Sequence, residues 1–294
     1  MPMTINDLLS ADEAVAKNSE VVFSGLGTNA TECANAGLRV FEAAYKAVRS
    51  WEESHANNEK FNELAGILGL SGQQLWDLVR SSQPDAADAP QVSEARKIDL
   101  EVSDALARRM LLQICWRAYR WGMTDLRRLR LTSSAGYMRV AAESIGLLLV
   151  FKNEPSLGRR WINPAEDMVK FFKESNPGVK TVLKEQGLTT AYDHGSAVAQ
   201  HARFASAARG VRLSDGEVLD QEFDPENPVS FHLGLAYFLR VFKRVFLLFP
   251  SVFPSFETDE SFKERVQEYN SLEEKTWWVL ERKYVEEIKD FYAE

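Results

Sequence analysis

The chain reads as a mostly α-helical protein, a multi-helix bundle with one small β-hairpin near 211–219. Three observations carry that reading. Apolar residues recur three and four apart through most of the length, as in Leu38, Phe41, Ala44, Tyr45 and Val48. Capping residues and Gly or Pro breaks punctuate these runs at helical lengths. A single segment, Val211-Arg-Leu-Ser-Asp-Gly-Glu-Val-Leu, shows short β-prone runs around an Asp-Gly turn. The 294 residues are 45% apolar and 27% charged, which supports one large core or two modest ones. That composition excludes intrinsic disorder, and 16 Gly with 10 Pro exclude collagen-like and low-complexity classes. Two cysteines, Cys33 and Cys115, build neither a disulfide scaffold nor a Cys-based zinc site.

Taken in order, Ile5 to Lys17 is a short helical candidate. Val21-Val-Phe then leads into Gly25-Leu-Gly27-Thr-Asn-Ala30, which fits a dinucleotide-loop pattern. No second strand ending in an acid follows about 20 residues on, so the segment reads as a Gly-rich loop entering a helix. Thr31 is placed to cap a helix over about 32–54. A short helix over 61–68 closes at Gly69, and Ser71 caps another over 73–81. Residues 82–92 are a linker by composition, rich in Pro, Asp and Ser with no large apolar group before Val92. The linker divides the chain into an N-terminal helical extension, 1–92, and a main bundle, 93–294. Within the bundle, helices are expected over 100–121, ending at Gly122, and over 124–153, opening at Thr124. Further helices follow over 165–175 after Pro164, over 177–187, and over 190–209 up to Gly210. The last two run over 229–249, after Asn227-Pro228, and over 258–292, opening at Thr258.

The net charge of −8 argues against a surface that binds polyanions indiscriminately. Its distribution is uneven. From Arg108 to Arg139 there are eight arginines against one acid, Asp125, whereas Glu257 to Glu294 carries twelve acids and six bases. Either these regions pack together and neutralise each other, or the arginine heads reach solvent. The sharper reading is a surface facing RNA or a nucleotide through the Arg108–Arg139 region. One unbroken helix would bring Arg109, Arg120 and Arg127 to one face, and Gly122 argues against that continuity.

The first residues show no basic, apolar leader pattern, so no secretory signal is expected. The most hydrophobic stretch, Phe231 to Phe256, is interrupted by Arg240, Lys243 and Arg244 and broken by Pro250 and Pro254. It reads as a buried helix with a basic edge, not a membrane span. A soluble, cytoplasmic protein with reduced cysteines and no membrane partner is expected, with Cys115 buried in its apolar run.

Candidate chemistry is sparse. His194 and His201 share a helix but stand about 10 Å apart along its axis, too far to hold one zinc together. No metal and no cofactor are expected. Small residues around them (Gly195, Ser196, Ala197 and Ala199) admit a close neighbour or ligand, and an imidazole in such a groove suits acid–base work. Arg139 and Glu143 lie four apart on a helix that is apolar to both sides. They form either a structural clamp or part of a polar site with His194 or His201.

An Arg139-x-x-x-Glu143 helix is followed by the connector Gly158-Arg-Arg-Trp161, a Tyr192…Ser196…His201 helix, a small hairpin and two long helices. Over about 124–249 this order is similar to bacterial HEPN-like (higher eukaryotes and prokaryotes nucleotide-binding) helical-bundle proteins. Active ribonucleases of that group carry an Arg a few residues before the catalytic His. Here 187–189 are Gly, Leu and Thr, and 194–196 are His, Gly and Ser, so the signature Arg is absent. The resemblance therefore implies a binding or regulatory protein, related to RNA or nucleotides and to stress or phage defence. It also implies a protein partner or a homodimer formed through helices. The alternative it implies is a metal-independent ribonuclease. There His201 or His194 serves as acid and base, Arg139 and Arg203 meet the phosphate charge, Glu143 and Ser196 orient, and Tyr192, Ser196 and Arg203 contact the ligand.

Overall fold

The computed structural model describes residues 28–54, 58–81, 90–127, 131–163, 166–195, 211–214, 217–220 and 228–293. The expectations for 5–17, 21–27, 82–89 and 196–209 lie outside them. Eleven helices fall among the described residues. They are α1 (Thr28–Ser54), α2 (Asn58–Ile67), α3 (Gly72–Ser81), α4 (Pro90–Arg127), α5 (Leu131–Asn153), α6 (Pro155–Trp161), α7 (Met168–Glu185), α8 (Thr189–Gly195), α9 (Pro228–Val252), α10 (Ser255–Thr258) and α11 (Glu260–Ala293). The fold is thus mostly helical. Val211–Ser214 and Glu217–Asp220 form a two-stranded antiparallel ladder, with Val211 opposite Asp220 and Ser214 opposite Glu217.

An aromatic spine organises the bundle. Phe238, Phe242, Phe246 and Phe249 recur along one face of α9, and all four are fully buried. Successive ring centroids lie 4.8, 6.1 and 6.0 Å apart. Three neighbouring helices each insert a ring. Tyr119 of α4 lies 4.8 Å from Phe242, while Phe41 of α1 and Tyr269 of α11 lie 5.2 and 4.9 Å from Phe246. Tilted and edge-on contacts of this kind add to the area term of burying such large side chains.

Because Phe41, Val40 and Ala44 sit in this core, α1 is part of the main bundle. A division at residue 92 cuts across the packing. A separate, smaller cluster joins α2, α3 and the first turns of α4 around Phe61, Leu75, Val79, Ala95 and Ile98. Val92, read as linker, is a buried residue of α4.

Several helix boundaries also differ from the sequence reading, each for a visible reason. α4 runs straight through Gly122, and Thr124 caps nothing, since its hydroxyl donates back to the Arg120 carbonyl at 2.9 Å. A Cβ at Gly122 would stand 2.3 Å from a ring carbon of Phe238, so this glycine serves the close approach of α9. α7 continues through Pro177, and its cap is Asp167, which accepts from the amides of Val169 and Lys170. Asp259, not Thr258, caps α11 by accepting from the Phe262 amide. α1 begins at Thr28, so Thr31 already lies in its first turn.

Other local chemistry follows the sequence. Ser71 and Gln74 form a reciprocal capping box at the start of α3. Gly69 and Gly187 take positive φ, and the amides of Leu70 and Leu188 reach back to the Ala65 and Leu183 carbonyls, closing α2 and α7.

The basic edge of α9 faces α11. Glu273, fully buried, accepts from Arg240 at 2.7 Å and from Lys243 at 2.9 Å, and the Arg240 guanidinium stacks 4.0 Å from the Trp277 ring. α11 packs on α1 and α9, and among its described acids Glu268 pairs with Arg39 of α1 while Glu273 pairs with α9. Within α5, Ser133–Asn153 is long and apolar enough to cross a membrane by length and composition, and most of it is buried inside the protein.

Candidate functional site

Helix α4 makes the most distinctive surface. Its continuity through Gly122 keeps Arg109, Gln113, Arg117, Arg120 and Arg127 within one solvent-exposed sector. From Arg109 to Arg127 that sector is about 27 Å long. Asp125 lies about 160° around the helix from the Arg109–Arg127 line, on the Trp121 side of the sector and one turn beyond Trp121. The Arg120 guanidinium sits 5.8 Å from the Trp116 ring and 5.7 Å from the Trp121 ring. Trp121 is 49% exposed, whereas Trp116 is half-buried and meets Tyr45 of α1 edge-on at 6.1 Å. Burial pushes the Tyr45 hydroxyl up to about 12, with Cys115 acting in the same direction and Arg117 and Arg109 opposing. The result is an aromatic–cationic patch of Tyr45, Trp116, Arg120 and Trp121, with Trp121 its most exposed ring.

The arginines from 108 to 139 do not all share this face. Arg108 turns inward, pairing with Asp104 at 2.7 Å and donating to the Val252 carbonyl at 2.5 Å, so it caps the end of α9. Beside it Val48, Asp104, Ala105, Arg108, Val252 and Phe253 line a largely apolar pocket of about 230 Å³. Burial raises the Asp104 carboxyl against the lowering effect of Arg108. Arg128 and Arg130 lie outside the described residues.

A second polar constellation lies on the opposite side of α5, where α7 and α8 pack. Arg139 and Glu143 approach to 4.0 Å, at the limit of an ion pair. The Arg139 guanidinium also sits 5.0 Å from the Tyr192 ring of α8. The Tyr192 hydroxyl donates to Asn176 Oδ1 of α7 at 3.4 Å. Nε and Nη1 of Arg139 are buried without a hydrogen-bond acceptor among the described residues. α8 is set here by the tight turn at Gly187 and by the burial of Leu188 and Ala191. The structure therefore brings Arg139, Glu143 and Tyr192 together. His194 lies on α8, but its imidazole, together with Ser196, His201 and Arg203, lies outside what is described.

Sequence reasoning missed Asn176, Trp116 and Trp121. Asn176 lies between the two helices expected over 165–175 and 177–187, Trp116 closes the apolar run around Cys115, and Trp121 stands between Arg120 and Gly122. The one available signal was the alternation of Trp with Arg from 116 to 121. Cys33 and Cys115 are both buried, and burial pushes each thiol up to about 12. Among the described residues no group of three or more His, Cys, Asp or Glu side chains is placed to hold a metal ion. No family model, no curated protein and no solved structure matches this chain.

Proposed function

We propose that this protein is a helical-bundle binding protein that holds nucleic acid, RNA foremost, along the outer face of α4. One observation carries the reading: four exposed arginines, Arg109, Arg117, Arg120 and Arg127, stand on one face of one unbroken helix. A cationic stripe attracts phosphates through counterion release, and the term is local, so a net negative protein still carries such a site. The HEPN-like order of segments over 124–249 supports RNA as the polyanion. A cytoplasmic setting in bacterial stress or phage defence belongs to the same proposal.

Fluorescence anisotropy with a labelled RNA tests it. Each phosphate neutralised on a single strand contributes about −0.7 to the slope of log K against log salt, so four arginines give about −3. Replacing all four by glutamine abolishes binding at moderate salt if the reading is right. Equal binding by that variant overturns it.

The meeting of Arg139, Glu143 and Tyr192 favours a second reading, a metal-independent ribonuclease with His201 as its acid and base. Incubation of RNA in EDTA with wild type and with His201→Ala decides this. Cleavage lost in the variant supports the ribonuclease, and intact RNA with wild type excludes it.

A further inference from the structure

Building on the α4 reading, the geometry points to a narrower ligand class. We infer that the α4 face selects single-stranded over double-stranded nucleic acid, with an unpaired base stacking on Trp121. Phosphate attraction alone does not distinguish the two, because both present regularly spaced anions to an arginine stripe. The aromatic platform does. Trp121 is 49% exposed, and the Arg120 guanidinium lies 5.7 Å from its ring and 5.8 Å from that of Trp116. Trp116 in turn meets Tyr45 edge-on, so the Arg120 guanidinium beside Trp121 is held against a packed pair of rings. A duplex hides the faces of its bases and leaves such a ring with nothing to stack on. A single strand offers an unpaired base to the ring while its phosphates meet Arg117, one turn before Trp121, and Arg120 beside it. Recognition of this kind tolerates any base, since every base has a π-face.

The same face also exposes Leu106 and Met110, and a mix of Trp, Arg and Met is common at protein interfaces. The charge favours nucleic acid. A protein partner would have to present acids along about 27 Å of helix, whereas a nucleic acid strand carries its phosphates in a continuous row.

The test uses the full chain with an RNA of about ten nucleotides, its DNA counterpart, the corresponding duplex and heparin. Binding is read by anisotropy, and light scattering follows the protein alone across concentration. The variants are Trp121→Ala and Trp121→Phe. Trp121 is exposed, and far-UV circular dichroism verifies that both remain folded. The expected result is preference for single strands, with affinity falling about tenfold in Trp121→Ala, retained in Trp121→Phe, and heparin binding unchanged in both. If single strands, duplex and heparin bind alike and Trp121→Ala changes nothing, single-strand selection is overturned while the charge-based reading stands. If no polyanion binds, both fall. If the protein instead self-associates with concentration and Trp121→Ala abolishes that, both fall and the face belongs to a second copy of this chain.

Discussion

Gly122→Ala is expected to destabilise the protein although it places the best helix former in the interior of a long helix. At a position with open space, the same exchange stabilises by about 1 kcal/mol, because glycine carries more backbone freedom into the unfolded state. At Gly122 the added methyl would stand 2.3 and 2.8 Å from two ring carbons of Phe238 and 3.3 Å from the Tyr137 Cβ. Phe238 cannot yield freely, since its ring is fully buried with centroids of Phe242 at 4.8 Å and Tyr119 at 5.7 Å. Overpacking of this kind costs about 1–3 kcal/mol, so the net is a loss of up to about 2 kcal/mol. Gly66→Ala serves as the internal control, because nothing lies within 4 Å of a Cβ built there. Urea unfolding of wild type and both variants reads the two signs directly. A Gly122→Ala protein as stable as Gly66→Ala would refute the close approach of α4 and α9. It would also leave the glycine in the arginine-bearing helix without a packing role.

Glu273→Ala should cost about 2–3 kcal/mol in the same assay, because the buried carboxylate accepts from both Arg240 and Lys243. Arg139→Met should cost less than about 1 kcal/mol, since two of the arginine's buried N–H groups have no acceptor among the described residues. A loss above about 2 kcal/mol would instead identify Arg139 as a structural clamp. Both cysteines should resist a thiol reagent at mildly alkaline pH in the folded protein and react in denaturant, because burial holds the folded thiols at about 12. Stability should also fall as pH rises from about 9 towards 12. The folded state keeps protons on Cys33, Cys115 and Tyr45, raised from ordinary values of 9.0, 9.0 and 10.0 to about 12, that the unfolded chain has released. Urea midpoints flat across that window would contradict the burial of these groups.

Much of the fold is local and was legible for that reason. Ser71, Gly69 and Gly187 act within one turn of themselves, so their roles follow from neighbouring residues. The basic edge of α9 follows from helical spacing, and the burial of its apolar face follows with it. What escaped the sequence depends on partners far along the chain. Gly122 looks like a stop until Phe238 is seen against it. Pro177 looks like a start until Asp167 is seen to cap a helix that runs through it. Helix α1 looks like an extension until Phe41 meets the rings of α9.

The candidate residues divide in the same way. Arg139 and Glu143 were legible as a pair because four residues span one turn, but the arrival of Tyr192 and Asn176 depends on the turn at Gly187. The arginine cluster was legible as charge alone. Which of its members face solvent depends on how α4 is rotated against α5 and α9, and that rotation turns Arg108 inward to Asp104 while leaving Trp121 half-exposed.

An RNA-binding face on α4 is tested most directly by where RNA touches the protein. RNA carrying a photoreactive thio-substituted uridine, crosslinked to the full chain and mapped by mass spectrometry, should attach within α4 between Arg109 and Arg127, centred on Trp121. Adducts confined to α7, α9 or α11, or none at all under conditions where the RNA is bound, would contradict it.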